Sequence, residues 1–586
     1  MSSTSVHERV GTRLAGALFS LAFVISQLAY SPSASAAAGA LDTSFGFGGR
    51  MTTEFGSGEE TGLDVAVQPD GKIVVVGESD NGDNFDFAIA RYKRNGTLDP
   101  SFSEDGKLSM SIGLLDDHAD GVMIQPDGKI VIAGRSFNEV DFDFAVVRLN
   151  SDGIPDPTFD TDGVAVTDFS SSNDYAYGVA LQDDGKIVLV GTTFTGTSDD
   201  LALARYNSNG TPDVDFGTGG EVVTPVGAGT DIAADVAIQT DGKIVIAGYT
   251  NSGPSCDNQG TTCDFLLARY LTNGDLDGDF GVGGKVITDF GGESAANALA
   301  IQADGKIVAA GFSIQDTGDF ALARYTGNGT PDSAFDDDGK VTTSIGALDS
   351  IWGVEIQTDG KIVAGGFSNS GVDTFALARY LPGGSLDAAF DIDGKVTTRF
   401  GTDHAPGLAL ALQPDGKAVV AGKSYNGDDY DFALARYRSG QEVFRPDGLI
   451  GQTAGPLIGG NIYNRTGANQ TRSVNAKRGT KKSFVARVEN DGNDTDTILL
   501  KGPGNSRGFK VKYFSGTSNI TSGVIDGEAG IRNAGPGKFG TFRIEVSVTE
   551  DAAVGATKTI LMTLTSLGDR TKRDAVKAKV TVISGR

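Results

Sequence analysis

The heptapeptide Gln68-Pro-Asp-Gly-Lys-Ile-Val74 is the unit from which most of this chain is built. Related copies begin at Gln68, Gln125, Gln182, Gln239, Gln302, Gln357 and Gln413, and every copy keeps Asp-Gly-Lys. Asp-Gly between two alternating apolar runs is a strong hairpin signal, because glycine accepts the positive φ of a tight turn. Seven hairpins spaced by about 57 residues predict an array of small sheets.

Each repeat carries further recurring segments after the hairpin. A third strand has the pattern Phe-Ala-Leu-Ala-Arg-Tyr, a link has the pattern Leu-Asp-x-x-Phe, and a fourth strand has the pattern Gly-Lys-Val-Thr-Thr. Four antiparallel strands in each of seven units, without helical periodicity, predict an all-β fold whose residues 37–438 form a seven-bladed β-propeller. A β-solenoid is the alternative, but it has a shorter period and no tight hairpin in each repeat.

The two ends of the array predict that it closes on itself. The chain enters with a link and a fourth strand at residues 41–53, and no hairpin precedes them. It leaves after the third strand Phe432–Tyr437, and no fourth strand follows. We therefore expect the N-terminal strand to complete the last sheet, which removes exposed edges.

The elements Gln-x-Asp-Gly-Lys, Ala-Arg-Tyr and Leu-Asp-x-x-Phe occur in order between residues 41 and 437. In this respect the chain resembles the bacterial delta-60 repeat, a propeller family of unassigned function found in exported proteins. The resemblance implies the propeller fold and supplies no known substrate.

The N-terminal segment predicts export. Arg9 and Arg13 precede an apolar run, and Ala34-Ser35-Ala36 has the form of a signal-peptidase site, so we interpret residues 1–36 as a removed signal peptide. A membrane anchor is the alternative. No other stretch is long and apolar enough to span a bilayer. A secreted or cell-surface protein is predicted, and a disulfide between Cys256 and Cys263 is its expected consequence.

Charge divides the chain into two parts. Residues 37–440 contain 25 Lys and Arg against 62 Asp and Glu, whereas residues 441–586 contain 22 against 13. The acidic part would repel phosphate, so we expect no nucleic-acid partner. Residues 439–470 are predicted to be a Gly-rich connection with a first strand. The alternating strands of residues 471–586 predict an immunoglobulin-like β-sandwich.

Two connections of each repeat are nearly constant and two vary, and the variable ones are predicted to share a face. Loops on a rigid scaffold commonly carry function, so this face is the candidate binding surface. Its irregular residues suit carbohydrate stacking or peptide binding, with ordinary loop packing as the alternative. These candidate ligand-binding residues are Trp352, His404, His118, Tyr175 and Tyr177.

The same face carries acids. In each repeat an acid lies five residues ahead of the Val, Ala or Leu that opens the inner strand, and these acids are predicted to form a ring. Calcium is the candidate cofactor of this ring, because Ca²⁺ takes several oxygen ligands. The members are Glu60, Asp117, Asp174, Asp231, Glu293, Asp349 and Asp403. A second set begins the third strands: Asp86, Asp143, Asp200, Asp264, Asp319 and Asp431, with Thr374 as the exception. The alternative is that these acids accept backbone N–H bonds at loop ends.

Two other repeated features are predicted to be structural. The arginine of each Ala-Arg-Tyr segment is expected to pair with the aspartate of a link. Segments such as Phe159-Asp-Thr-Asp-Gly163 suggest calcium loops, but the equivalent Phe45-Gly-Phe-Gly-Gly49 has glycines at the same positions. Asp and Gly both suit positive φ, so we interpret these segments as turns.

No Ser/His/Asp set or cysteine nucleophile stands out in the sequence. The predicted function is therefore a non-catalytic binding or adhesion protein, secreted or at the cell surface, with a cell-envelope polysaccharide or a protein as ligand. The alternatives are a polysaccharide hydrolase or lyase acting through paired carboxylates, and a structural component of the envelope or matrix. A deep pocket with buried carboxylates of raised pKa would favour the enzyme, whereas a flat acidic face would favour binding.

Overall fold

The computed structural model describes residues 38–169, 171–251, 263–440, 446–452, 456–460, 462–492, 496–535, 537–567, 570 and 572–584. The predicted signal peptide and Cys256 lie outside the described residues, whereas Cys263 opens a strand and is buried. Export and the disulfide therefore stay predictions.

The repeats are built from four-stranded sheets, as predicted. In chain order the strands are β1 (Arg50–Thr53), β2 (Glu60–Val67), β3 (Ile73–Asp80), β4 (Phe85–Tyr92), β5 (Lys107–Met110), β6 (Asp117–Ile124), β7 (Ile130–Phe137), β8 (Phe142–Leu149), β9 (Val164–Thr167), β10 (Asp174–Leu181), β11 (Ile187–Phe194), β12 (Asp199–Tyr206), β13 (Glu221–Thr224), β14 (Asp231–Ile238), β15 (Ile244–Asn251), β16 (Cys263–Tyr270), β17 (Lys285–Thr288), β18 (Glu293–Ile301), β19 (Ile307–Ile314), β20 (Gly318–Tyr325), β21 (Lys340–Thr343), β22 (Leu348–Ile356), β23 (Ile362–Asn369), β24 (Asp373–Tyr380), β25 (Lys395–Thr398), β26 (Gly407–Leu412), β27 (Ala418–Tyr425) and β28 (Tyr430–Tyr437).

Within each repeat the strands pair antiparallel in chain order, as in β2-β3-β4-β5. The last sheet has the order β1-β28-β27-β26, and Arg50 to Thr53 of β1 pair with Ala435 to Phe432 of β28. The N-terminal strand therefore completes the last sheet, and the predicted closure is confirmed.

The repeated hairpin has the conformation that its sequence predicts. The Gln68 N–H donates to the Lys72 carbonyl at 2.8 Å, and the Gly71 N–H donates to the Gln68 carbonyl at 2.8 Å. Gly71 has φ +79°, and Asp70 Oδ1 accepts the Lys72 N–H at 3.1 Å. Glycine is needed because other residues rarely adopt this φ.

The first strands of the repeats surround a central cavity. Each one contacts the first strand of the next repeat, and β26 contacts β2, so these strands form a closed ring. Small aliphatic side chains and buried phenylalanines fill the space between neighbouring sheets, as between the second and third repeats. The ring is therefore stabilised by packing between sheets, with the cavity along its axis.

The arginine of each Ala-Arg-Tyr segment pairs with the aspartate of a link, as predicted. Arg379 lies 2.9 Å from Asp387, donates to the Ser439 carbonyl and stacks 4.6 Å above the Phe390 ring. The matching pairs in the other repeats are Arg91–Asp99, Arg148–Asp156, Arg205–Asp213, Arg269–Asp277, Arg324–Asp332 and Arg436–Asp42. We call each such unit an arginine clasp.

The Asp-rich links are turns in the structure. Asp160 and Thr161 have φ +38° and +71°, and Gly46 and Gly48 of the equivalent link have φ +49° and +63°. The positive φ shared by Asp160 and Gly46 explains why aspartate and glycine exchange at that position; at the position of Asp162 and Gly48 only the glycine has a positive φ.

The rest of the described chain forms two five-stranded sheets with one core. The elements are β29 (Pro446–Gln452), β30 (Thr471–Ala476), β31 (Lys481–Asn490), β32 (Asp496–Lys501), β33 (Phe509–Ser515), β34 (Ser518–Asn519), α1 (Thr521–Asp526), β35 (Gly530–Ala534), β36 (Phe539–Val548), β37 (Thr557–Ser566) and β38 (Arg573–Val582). The sheet orders are β29-β31-β36-β33-β34 and β30-β38-β37-β32-β35. The alternating strands predicted for residues 471–586 are present. Across the residues that the structure describes, no helix is long and apolar enough to cross a membrane.

Candidate ligand-binding cavity

Every first strand contains one extra residue that its partner strand does not match. The pairing register shifts by one residue in all seven, which is the pattern of a β-bulge. A bulge re-aims a side chain and interrupts the ladder locally. The extra residues are Leu63, Asp120, Tyr177, Ala234, Asn297, Trp352 and Leu408, and all seven line the cavity.

The cavity has a volume of about 1200 Å³. The second strands also contribute to its wall through the variable residue of a recurring Gly-x-Ser or Gly-x-Thr segment. Four of these variable residues line the cavity: Glu78, Tyr249, Phe367 and Lys423. Sequence reasoning missed this set, although a variable position inside a constant segment is a signal that would have identified it.

The structure brings three of the candidate ligand-binding residues together. The Tyr175 ring lies 6.4 Å from the Tyr177 ring, and the guanidinium of Arg135 lies 5.3 Å from the Tyr175 ring. His118 is linked to this group through Phe142, which packs against both His118 and Tyr175. The predicted aromatic and histidine cluster therefore exists between the second and third repeats.

Charged side chains accompany this cluster. One Nη atom of Arg135 lies 2.9 Å from Asp120 Oδ2 and 3.1 Å from Asp120 Oδ1, and His118 Nδ1 is hydrogen-bonded to Glu78. Burial raises the pKa of Asp120 to about 6, although Arg135 acts in the opposite direction. On this side Glu78 and Asp120 line the cavity, and His118 and Arg135 pair with them from behind the wall.

Trp352 lies in another part of the wall, and His404 lies behind the wall residue Asp373. Trp352 is a bulge residue, and 43% of its surface is exposed. His404 Nδ1 lies 2.7 Å from an oxygen of Asp373, which itself lines the cavity. The five predicted residues thus form one cluster of three and two separate contributions.

Three carboxylates lie deeper in the cavity. Asp64 accepts the N–H groups of Val65 and Val122, each at 2.7 Å, and so ties β2 to β6. Asp235 ties β14 to β18 in the same way. The pKa values of Asp64, Asp235 and Glu355 are raised to about 7, chiefly by burial. Repulsion from Asp235 contributes at Asp64 and at Glu355.

We expect the free energy of unfolding to fall as pH rises from about 4 to about 7. These three carboxyl groups lose their protons near pH 4 in the unfolded chain, whereas the fold retains them until about pH 7. The folded state then binds more protons, so stability decreases with pH. Urea unfolding at about pH 4.5 and about pH 8 measures the difference.

Glu355→Gln should reduce this difference and be more stable than the wild type at the higher pH. An unchanged pH dependence in Glu355→Gln would contradict the assignment. The aspartates of the arginine clasps do not interfere, because their pKa values are lowered and they affect stability only below about pH 4.

The predicted acid ring needs a correction at two positions. The register pairs Asp117 with Ser136 and Asp349 with Ser368, and the equivalent pair in the fifth repeat is Ser294 with Ser313. Ser294 therefore occupies the position assigned to Glu293. Counting from the hairpin glutamine likewise places Ala405 at the position assigned to Asp403. The spacing was counted from Ala298 and Leu408, whereas the register makes Leu299 and Leu410 the equivalents of Val65.

The other five members of the ring are Glu60, Asp117, Asp174, Asp231 and Asp349, and all are fully buried. They accept backbone N–H groups of the preceding loop. Asp349, for example, accepts from Ile345 at 2.6 Å and from Gly346 at 2.9 Å. This is the loop-end role that the sequence left open as the alternative, and calcium binding by the ring as a whole stays a prediction.

The comparisons with known proteins support the repeat assignment. A family model described as "Domain of unknown function (DUF5122) beta-propeller" matches seven segments, one in each repeat: residues 68–102, 125–159, 182–216, 239–280, 302–335, 357–390 and 413–440. No curated protein matches the sequence.

Solved structures give weak similarities. Sqt1 of Chaetomium thermophilum, bound to the N-terminus of ribosomal protein L10, is 13% identical over 68% of this chain and 94% of its own, with a TM-score of 0.37. An endo-1,4-β-xylanase of Bacteroides thetaiotaomicron is 12% identical over 49% of this chain and 96% of its own, with a TM-score of 0.25. TM-scores this low support no inference about function. The all-β sheets and the seven matched segments together support a β-propeller repeat family, of unassigned function, for this chain.

Proposed function

We propose that this protein is a non-catalytic binding protein, secreted or held at the cell surface, whose ligand enters the central cavity. In this proposal the repeats are the blades of a seven-bladed propeller, and residues 471–586 form an immunoglobulin-like sandwich. One observation carries the binding role. The bulge side chains that line the cavity differ between most repeats, whereas the arginine clasp recurs in all of them.

The lining favours a ligand with both apolar and polar faces. Tyr177, Tyr249 and Trp352 offer aromatic surface, and Glu78 and Lys423 offer charged hydrogen-bonding groups beside it. Sugars combine an apolar ring face with many hydroxyl groups, which suits such a wall. A cell-envelope polysaccharide is therefore the proposed ligand class, and a protein ligand is the alternative.

Trp352→Ala and Tyr177→Ala are each expected to weaken binding of a cell-envelope polysaccharide by about tenfold or more, as aromatic residues in binding pockets commonly do. The polysaccharide is first selected by a glycan array, and its dissociation constant is then measured by titration calorimetry. Phe47→Ala is the matched control, because this phenylalanine is exposed and lies outside the cavity. Equal affinity in all three variants would refute the cavity as the binding site.

A polysaccharide hydrolase or lyase is the second candidate, because carboxylates of raised pKa in a deep cavity are typical of such enzymes. Glu355 has the raised pKa that a general acid needs. Asp64 and Asp235 instead hold two backbone N–H groups each, which favours a structural role for them. Release of reducing ends that disappears in Glu355→Gln would support the enzyme over the binding protein.

A structural envelope or matrix component is the third candidate. Light scattering of the purified protein distinguishes it, since such a component self-associates and a ligand-binding monomer does not. The proposed export is tested separately by locating the protein in the culture medium or on the cell surface.

A further inference from the structure

Three carboxylates from two neighbouring repeats meet at the junction between the second and third repeats. Asp143 is the second residue of β8, Asp168 follows β9, and Asp174 opens β10. One oxygen of each residue lies within 4.8 Å of the oxygens of the other two. Asp143 and Asp174 are buried, whereas Asp168 is exposed and leaves the cluster open to solvent on one side.

Asp143 has an oxygen without a hydrogen-bond partner. Its Oδ2 accepts from the side-chain amide of Asn138 at 2.8 Å, but its buried Oδ1 is unpartnered among the described residues. Only 5% of Asp143 is exposed. Buried polar atoms are normally hydrogen-bonded, so an unpartnered carboxylate oxygen beside two other carboxylates points to a bound ligand of positive charge.

The charges of the cluster support the same ligand. The pKa of Asp174 is raised to about 6, chiefly by burial and in part by the nearby Asp168 and Asp143. The pKa of Asp143 is raised by burial and by repulsion from Asp168 and Asp141. A cation among these oxygens would remove the repulsion and replace the water that the two buried carboxylates have lost.

We propose that Asp143, Asp168 and Asp174 bind a calcium ion that links the second repeat to the third. Calcium binds oxygen at about 2.3–2.6 Å, so two oxygens of one ion lie at most about 5 Å apart, as these do. Magnesium binds at about 2.0–2.1 Å in a stricter octahedral geometry, so it accepts oxygens at most about 4.2 Å apart. Water entering from the Asp168 side completes the coordination.

The neighbouring junctions provide built-in controls. Asp86 and Asp117 occupy the equivalent positions between the first and second repeats, but Ser111 stands in place of Asp168. The equivalence is supported by the loop bonds, since Asp117 accepts the N–H of Ile112, and Asp174 accepts the N–H of Phe169. The Ser111 junction thus contains two carboxylates, and Asp86 Oδ1 is unpartnered there as Asp143 Oδ1 is, among the described residues. What distinguishes the Asp168 junction is the exposed third carboxylate.

The experiment is titration calorimetry of the purified, chelator-treated protein with calcium chloride and, separately, with magnesium chloride. The wild type is expected to bind calcium at this junction with at least tenfold preference over magnesium. Asp168→Ser should remove one calcium site, and Ser111→Asp should add one. Asp183→Ser, which changes an exposed acid in a hairpin turn, should leave the number of sites unchanged.

Thermal unfolding supplies a second measurement, because a ligand bound only to the folded state raises Tm with its concentration. Calcium is expected to raise the Tm of the wild type more than that of Asp168→Ser. Calcium binding that is the same in wild type and Asp168→Ser, or no binding by the folded wild type at millimolar calcium, would overturn the proposal. Since Asp168 is exposed, its substitution is not expected to prevent folding, and Ser111→Asp tests the same geometry by gain of a site.

Discussion

Replacing Arg379 with methionine is expected to lower the free energy of unfolding by about 2–3 kcal/mol. This is less than the usual result of breaking a buried ion pair, because Lys361 still lies 3.3 Å from Asp387. Only 2% of Arg379 is exposed, and its guanidinium lies 2.9 Å from Asp387. Methionine fills part of the space but leaves the buried Asp387 carboxylate with Lys361, at 3.3 Å, as its remaining cation. It also removes the bond to the Ser439 carbonyl and the stacking on Phe390. Urea unfolding at neutral pH measures the loss.

Arg399→Met is the matched control, because Arg399 is exposed on the edge of the same repeat. Its effect should stay within about 0.5 kcal/mol, as for most surface substitutions. An Arg379 variant as stable as the Arg399 variant would mean that the clasps contribute only to the local conformation of the links.

Phe45→Ala is expected to destabilise the protein by about 3–5 kcal/mol, as truncation of a buried phenylalanine commonly does. Phe45 is fully buried against the first and last sheets of the ring, and the guanidinium of Arg436 lies 4.7 Å from its ring centre. The residue belongs to the N-terminal segment that completes the last sheet. Its removal therefore weakens the closure of the array as well as leaving a cavity.

Phe47→Ala is the control that distinguishes weakened closure of the array from a general effect of changing the N-terminal segment. Phe47 lies two residues away in the same link, but 89% of its surface is exposed. The control should change stability by less than about 0.5 kcal/mol. If both variants lost the same stability, the N-terminal segment would not be packed as the structure describes.

The sequence was sufficient to predict the features that are encoded by short segments recurring in every repeat. The Asp-Gly turns, the four strands of each repeat and the pairing of each arginine with a link aspartate all follow from short segments that recur seven times. Closure by β1 followed from an incomplete repeat at each end of the array. These predictions succeeded because each element is stabilised mainly by neighbours within its own repeat or the adjacent one.

The candidate sites depended on tertiary structure. Trp352 and Tyr177 were visible in the sequence as irregular residues, but the bulge that turns them toward the cavity leaves no local pattern, because one extra residue in a strand looks like ordinary variation. Glu293 and Asp403 were misplaced in the acid ring because several apolar residues in each first strand could serve as the reference for counting; the register places Ser294 and Ala405 there.

The sequence by itself thus determined the all-β class, the repeated sheets and their closure, because turn chemistry and alternation act over a few residues. Only the tertiary structure decided which side chains meet. Asp143 and Asp174 lie on different repeats, and the bulge residues come from all seven first strands. Their proximity is set by the packing of neighbouring sheets, which no short segment encodes.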